Sequence, residues 1–345
     1  MSGVNGPDDQ DIRKRMSAEW VAMRTVAEWE AGAKALALLQ GAARVGLLDA
    51  LRSGATEIEL ANSTGIELTR VSDICAALYA HGALDSVDGG WKVSDSFAPL
   101  LMDDALRPLS GVATLAMAEA RTIAILAAGR DPRPLSPEDV IAVATGVSVN
   151  PESPMRRGLI HIADPFVSAA FTSGRRHLEL GCGIGGNLLS VLATFPNLTG
   201  VGIDLDKRLL EIAQGRAEVM GLADRLELRC TDAQQLTDEA EFDTAVWSDM
   251  FFELPSREST LRAAFRALRP GGLLLVGGAA KFDSTGDPRS AQARATALSR
   301  LLRQGLGVPL TTDAEMQTDL TAAGFIIIGA VENPARRRLI VQRPG

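Results

Sequence analysis

Glu179-Leu180-Gly181-Cys182-Gly183-Ile184-Gly185-Gly186 is the stretch on which the reading of this chain turns. His177-Leu178-Glu179-Leu180 leads into it as the end of a buried strand, and Asn187-Leu188-Leu189-Ser190-Val191-Leu192 starts a helix after it. Strand, glycine turn and helix together let a ligand approach the backbone closely, because glycine lacks a Cβ and accepts positive φ. The stretch points to a nucleotide-like cofactor.

The glycines alone leave two cofactor classes open. Gly181-x-Gly183-x-x-Gly186 also matches the dinucleotide fingerprint, and Asp204 follows at a distance suited to a ribose. Glu179 separates the two. A carboxylate just before the first glycine would repel a pyrophosphate, whereas it would attract the ammonium and sulfonium of S-adenosylmethionine. More acids follow where the next strands of a doubly wound sheet should end. Leu198-Thr199-Gly200-Val201-Gly202-Ile203-Asp204 reads as a short buried strand ending in a carboxylate, placed for both ribose hydroxyls. Arg225-Leu226-Glu227-Leu228-Arg229-Cys230 alternates like a strand and leads to Thr231-Asp232-Ala233, where Asp232 could accept from the adenine amino group. Leu205 would offer the adenine ring an apolar surface.

On these motifs the chain from about Arg175 to the C-terminus resembles the class I S-adenosylmethionine-dependent methyltransferases. Glu179 to Gly185 is similar to their first motif, Gly202-Ile203-Asp204-Leu205-Asp206 to the second and Thr231-Asp232-Ala233 to the third. Phe242 to Asp249 is similar to their fourth strand, and Leu268-Arg269-Pro270-Gly271-Gly272 to the turn before the fifth. Each motif alone is weak, since glycines mark tight turns and an acid after a strand is usually a helix cap. Five in order, at one family's spacing, form a strong signal. The resemblance implies an α/β fold, a Rossmann-like seven-stranded domain over residues 175–345. It implies S-adenosyl-L-methionine as cofactor, with Glu179, Gly181, Gly183, Gly185, Asp204, Leu205, Asp232, Ala233 and Ser248 as its contacts. The closing strands, Phe325 to Val331 and Arg338 to Gln342, fit the antiparallel end of that sheet.

With 345 residues, 46% hydrophobic and 23% charged, the chain has room for about two globular domains. Its net charge of −8 and pI near 5.1 oppose binding to a phosphate backbone, so no nucleic-acid partner is expected. The basic clusters Arg156-Arg157, Arg175-Arg176 and Arg336-Arg337-Arg338 are short and read best as solvated ends of helices and strands. Met1 to Asp9 lacks a signal pattern, and no segment approaches the roughly 20 uninterrupted apolar residues of a membrane span. A cytoplasmic location is the default expectation. Cys75, Cys182 and Cys230 have no metal-ligand spacing and read as buried free thiols.

Residues 1–12 are expected to be disordered. Ala18 to Leu51 then carries helical periodicity, with apolar residues on more than one face between Gly32 and Leu48, as in a helix packed across a subunit boundary. Helical signals recur at Thr56 to Ala61 and Glu67 to His81, and Asp88-Gly89-Gly90 reads as a hairpin turn between Leu84 to Val87 and Trp91 to Ser94. Two helices and a ribbon make a winged helix, a shape that can read DNA. Glu67 to His81 offers one arginine against two acids, which disfavours that role. The same order resembles the N-terminal dimerisation domain of small-molecule O-methyltransferases of secondary metabolism, over roughly Glu28 to Leu101. That likeness implies a helical winged-helix-like domain over residues 13–105 and a homodimer through it. It also implies linker helices over 106–174 that wall the substrate pocket.

In that linker, Leu109 to Gly129 is helical and apolar, Asp131 to Pro137 is a proline-rich break, and Pro154 to Thr172 is helical with a kink at Pro165. Met117, Glu119, Arg121, His161 and Phe166 become pocket candidates, as do Trp247, Met250, Phe251 and Phe252 after the fourth strand. Ser290 to Leu306 reads as another helix over the pocket. Thr312 and Glu315 form a capping box for the next.

Methyl transfer from a sulfonium is an in-line displacement that mainly needs alignment and exclusion of water. The family likeness implies a histidine base just after the fourth strand, and this chain has none: Met250 or Phe252 falls there, depending on the alignment used. Asp249, Glu253 and His161 remain as candidate bases, since burial can raise a carboxyl toward the working pH. His81 and His177 read as structural. No cluster has metal-ligand spacing, so no metal is expected. The leading expectation is methylation of carbon, nitrogen or an already acidic oxygen on a small hydrophobic natural product. The alternatives are non-methyl chemistry such as cyclisation on the same cofactor, and a metabolite-sensing DNA-binding regulator.

Overall fold

A computed structural model describes residues 9–156, 158, 165–280, 287–332 and 336–345. The chain divides into two compact units, Met1–Leu101 and Met102–Gly345, so the linker helices group with the sheet.

The first unit opens with α1 (Asp9–Arg44). Part of the stretch expected to be disordered, residues 1–8, lies outside the described residues, but Asp9 to Ile12 already belongs to the helix. The extension has a local cause: Asp11 sits in the first turn, where the helix dipole favours an acid, and no glycine or proline occurs between Asp9 and Gly32. Gly46, with φ +73°, turns the chain into α2 (Leu47–Ala50). A capping box opens α3 (Glu57–Thr64), with Thr56 N donating to Glu59 Oε2 at 2.8 Å and Glu59 N to Thr56 Oγ1 at 3.2 Å. α4 (Leu68–Ala80) and the ribbon of β1 (Leu84–Val87) and β2 (Gly90–Val93) follow, then the single turn α5 (Ala98–Leu101). Leu47, Leu51, Leu60, Val71, Cys75 and Leu78 form the buried core of this unit. Helix, helix and ribbon occur in the order expected.

The second unit begins with α6 (Leu109–Ala127) and α7 (Pro137–Val147). α7 is absent from the sequence reading above, although its start is well marked: Ser136 Oγ accepts from Asp139 N at 3.1 Å, Pro137 opens the helix, and Glu138 and Asp139 fill its first turn. By length and composition α6 is long and apolar enough to cross a membrane, alone among helices of the described residues. Glu119 and Arg121 interrupt it, and it packs on α7.

After α8 (Pro165–Ser173), strands and helices alternate: β3 (Arg176–Leu180), α9 (Gly186–Thr194), β4 (Thr199–Asp204), α10 (Lys207–Val219), β5 (Leu226–Cys230), β6 (Phe242–Ser248), α11 (Arg257–Ala267) and β7 (Leu268–Ala280). Then come α12 (Ala291–Gly305), α13 (Asp313–Ala322), β8 (Ile326–Glu332) and β9 (Arg336–Gln342). The strand order is β5-β4-β3-β6-β7-β9-β8, parallel as far as β7, with β9 inserted antiparallel between β7 and β8. Both faces of the sheet are apolar, as a parallel sheet covered by helices requires. Leu178, Leu180, Phe242, Trp247, Leu274 and Val276 pack toward Leu261 and Leu320 of α11 and α13, while Leu275 and Ile340 share the other face with Leu188, Leu189 and Leu192 of α9. Strand order reverses between β3 and β6, and in open α/β sheets ligands bind beyond the carboxyl ends of strands at that switch. Leu180, Asp204 and Ser248 end the strands there.

Candidate cofactor and acceptor site

β3 delivers Glu179 to the switch point and then turns sharply. Gly181, Gly183 and Gly185 have φ of +71°, +53° and +75°, a left-handed path that side-chain-bearing residues avoid. Two backbone amides of this turn, Gly181 N and Cys182 N, donate to Ile203 O at 2.8 and 3.0 Å, which locks the turn to β4. Gly183 N donates to Asp204 Oδ2 at 2.8 Å. Asp206 N donates to the other oxygen at 3.0 Å. Burial raises the Asp204 carboxyl above its ordinary range in spite of these bonds. Each oxygen keeps a lone pair for a ribose hydroxyl.

Glu179 is 7% exposed, and Asn187 Nδ2 donates to its Oε2 at 3.0 Å. Arg156 reaches the same Asn187 through Oδ1, and Arg156 and Arg338 both act electrostatically on the Glu179 carboxylate. Burial nevertheless pushes Glu179 up to about 7, and burial lowers Arg156 to about 10. Glu179 is therefore not the isolated negative charge that the sequence suggests. Its contrast between a pyrophosphate and a sulfonium is softened by two guanidiniums, and Asp204 and Asp232 carry more of the distinction.

Asp232 caps a tight helical turn, accepting from Gln234 N at 2.9 Å and from Gln234 Nε2 at 3.0 Å. Leu205 stands 72% exposed between the two acids in sequence order and lines the cleft, as Ala233 does. The cavity measures about 680 Å³ and lies wholly within the second unit. That is within the range of roughly 300–1,000 Å³ usual for small-molecule sites. Val140, Val143, Ala144 and Val147 of α7 line it, and so do Ser248, Met250, Phe251 and Phe252 at the end of β6.

Several expected site residues lie elsewhere. Trp247 is fully buried in the core, 5.6 Å from the Phe252 ring, and Asp249 is fully buried as well. Strand parity explains Trp247, because Val246 and Ser248 face the cleft and neighbours along a strand alternate. Asp249 Oδ2 instead accepts from Arg303 Nη2 at 3.0 Å, with Arg257 Nη2 at 3.9 Å. Glu253 does line the cleft but is exposed and paired with Arg133 at 3.6 Å. Met117, Glu119, Arg121 and Phe166 are not among the lining residues, since α7 supplies the wall expected of α6. Arg121 ties the two helices together, its Nε donating to Asp139 Oδ1 at 3.2 Å. Gly185 is off the lining too: a Cβ there would meet Ala213 Cβ at 3.2 Å, so its task is packing of the turn. His161 lies outside the described residues. His177 is structural, with Nδ1 2.9 Å from Thr244 Oγ1 and burial lowering it to about 4. Cys230, expected buried, is exposed.

The sequence reading missed the α7 wall and two arginines. Arg156 and Arg338 belong to clusters read as solvated ends, yet both line the cavity. For Arg338 a signal existed: it opens an apolar strand, Leu339-Ile340-Val341, and alternation gives it the same face as Ile340.

A sheet of this order, with an acid and glycine turn after β3 and acids beyond β4 and β5, is the class I fold of the S-adenosylmethionine-dependent methyltransferases. Residues 178–272 match the family described as a methyltransferase domain. The chain is 31% identical over 165 residues, 46% of its length and 53% of the relative's, to erythromycin 3''-O-methyltransferase of Saccharopolyspora erythraea. It thus spans about half the length of that curated relative. An O-methyltransferase family protein from Burkholderia thailandensis shares the fold with a TM-score of 0.67 at 19% identity, covering 94% of this chain and 98% of that one. So does N,N-8-amino-8-demethyl-D-riboflavin dimethyltransferase from Streptomyces davawensis, with a TM-score of 0.60 at 20% identity, covering 94% of this chain and 99% of that one. S-adenosyl-L-methionine is the cofactor of this domain. The chain's residues fit it: partly desolvated Asp204 for a ribose, Leu205 and Ala233 for a flat ring, and Glu179 for an ammonium.

Proposed function

We propose that this chain transfers a methyl group from S-adenosylmethionine to a small, largely hydrophobic acceptor, at an atom that needs no base from the protein. An already acidic oxygen, a carbon or a nitrogen meets that condition. The observation that carries the reading is the end of β6, where Met250 and Phe252 line the cleft while Asp249 is engaged with Arg303. No described side chain in that stretch is free to take a proton from a neutral phenol, and Glu253 is exposed to water.

The bound cofactor supplies an electrophilic methyl on a sulfonium, so the donor arrives activated. Asp204 would accept from the ribose hydroxyls, and Asp232 from the adenine amino group. Glu179 would accept from the ammonium, and Arg156 would donate to the α-carboxylate. Val140, Val143 and Val147 would exclude water from the acceptor, which raises the weight of every charge in the cleft. An acceptor with a preformed lone pair then attacks in line, the new bond forming as the carbon–sulfur bond breaks, and alignment is the enzyme's main contribution.

We infer further that the first unit forms a homodimer and that no nucleic acid is bound. The exposure of Trp20 and Trp29 on α1, at 62% and 67%, supports an unfilled contact surface. The test of the activity is direct: incubation with cofactor and panels of acidic phenols, enols, amines and carboxylic acids should release S-adenosylhomocysteine. A protein that binds neither S-adenosylmethionine nor S-adenosylhomocysteine would sink the reading.

A further inference from the structure

Arg338 enters the cleft from the sheet itself. On β9 it pairs with Gly277 of β7, which pairs with Ser248 of β6, so the three form one row across the cleft face. The preceding row on that face runs Glu179, Val246, Leu275 and Ile340. All members of the Arg338 row line the cavity. Gly277 is the bare position in it: a Cβ there would come within 2.8 Å of Ser248 Oγ. The strand floor is thus left open beside a guanidinium that carries five donors and no acceptor.

Those donors are unused among the described residues. Among the described residues no side chain or carbonyl makes a hydrogen bond or an ion pair with the Arg338 guanidinium, which is half-buried and lowered by desolvation. Glu179 and Arg338 act on each other only through space. A half-buried guanidinium that lines a cavity without a protein partner keeps its donors free for a ligand there. Arg156 is in a related state, with its Nε buried and unpartnered.

Charge count says which ligand. With the donor's ammonium matched to Glu179 and its α-carboxylate to Arg156, the sulfonium and Arg338 remain as unmatched positive charges near the ends of β6 and β7, and Arg107 lines the cavity as well. Asp204 and Asp232 follow β4 and β5 at the other side of the cleft, and Glu253 is exposed and paired with Arg133. We propose that Arg338 is a specificity residue for an anionic acceptor, its guanidinium holding a carboxylate-type oxyanion of that acceptor beside Ser248, Gly277 and Met250. The inference rests on the methyl-transfer reading and adds to it the charge of the substrate. Arginine suits the task because its planar fork matches a carboxylate through two parallel hydrogen bonds.

The same chemistry could come from the donor's own α-carboxylate, and the experiment separates the sources. The full chain saturated with S-adenosylhomocysteine is titrated calorimetrically with 2-naphthoate and with neutral 2-naphthamide, for wild type, Arg338→Met and Arg338→Lys. Wild type should prefer the naphthoate by roughly tenfold or more, the scale of a charge-assisted hydrogen bond. Arg338→Met should bring the two probes to within about twofold and Arg338→Lys should restore part of the preference, and in titrations at about pH 8.5, where Glu179 is ionised with or without Arg338, all three should bind S-adenosylhomocysteine with similar affinity. That retained affinity also certifies that the variants fold. A wild type indifferent to the probe's charge, or a preference that survives in Arg338→Met, overturns the proposal alone. So does a variant that loses S-adenosylhomocysteine yet binds 5′-methylthioadenosine normally, since that assigns Arg338 to the donor's carboxylate. A wild type that binds no S-adenosylhomocysteine removes the methyl-transfer reading and this proposal together.

Discussion

Arg303 Nη2 donates to Asp249 Oδ2 at 3.0 Å, and both side chains are buried. The bond joins α12 to the residue that follows β6, and Arg257 adds a second guanidinium at 3.9 Å together with hydrogen bonds to Thr311 and to Pro309 O. Asp249 therefore holds in place the turn that carries Met250 into the cleft.

Breaking that pair should act on stability first. Removing one partner of a buried ion pair leaves an uncompensated charge, at a cost of about 3–5 kcal/mol. Asp249→Ala should lower the free energy of unfolding by that order, with loss of activity following loss of fold. Chemical denaturation beside a cofactor-binding assay decides it: a variant as stable as wild type, binding cofactor normally but inactive, would restore Asp249 as the base.

Glu179 predicts a pH dependence whose sign can be worked out. Its carboxyl is raised from its ordinary 4.5 to about 7 by burial, so the folded protein holds a proton that the unfolded chain releases. Stability from this group is full below about 4.5 and falls as pH rises toward 7, by about 3 kcal/mol in total. An ammonium needs the ionised form, so binding S-adenosylhomocysteine near neutral pH should release a fraction of a proton, and its affinity should rise as pH passes through about 7. Calorimetry in buffers of different ionisation enthalpy measures this. Glu179→Gln should abolish the proton release and weaken binding. A wild type whose affinity is flat between pH 6 and 8 would contradict the assignment.

The turn itself offers a steric test. A Cβ on Gly186 would lie 2.1 Å from Ser148 Oγ and 2.5 Å from Val149 O, and the second of these is backbone that cannot rotate away. Arg216 fastens the same contact, donating to Ile184 O at 2.8 Å and to Ser148 Oγ at 3.4 Å. Gly186→Ala should force the segment after α7 off the turn, with an overpacking cost of about 1–3 kcal/mol and roughly tenfold weaker cofactor binding. Unchanged affinity for S-adenosylhomocysteine would mean that the α7 segment plays no part in the site.

How far these residues were legible in the sequence follows from how local their signals are. The glycine turn, Asp204 and the strand order rest on motifs within one βα unit each, and the β3 to β7 frame matches its expected positions within a few residues. Asp249 reads as a candidate base because it adjoins Met250, at the place where the family likeness implies a histidine, and the partner that engages it, Arg303, lies far along the chain. Arg338 was misjudged for a related reason. A run of three arginines looks solvated in one dimension, and only the register of β9 against β7 brings the third onto the cleft face. α7 had a local signature at Ser136 to Asp139, overlooked beside the proline-rich break.

The exposed length of α1 makes the last prediction. Met16, Trp20, Met23 and Trp29 are all more than half exposed on a helix of 36 residues, while Leu36 is less so nearer its end. Large aromatic side chains left in water along one helix represent apolar area that a second copy would cover, at about 25 cal/mol per Å². The wild type should sediment as a dimer at micromolar concentration, and Trp20→Glu with Trp29→Glu should shift it to monomer, because a buried carboxylate without a partner opposes association. The double substitution should leave helical content within a few per cent by circular dichroism, which separates lost association from lost folding. A wild type that sediments as a monomer at 50 times that concentration, on the order of what a weak dimer needs, would leave α1 without this partner and end the proposal.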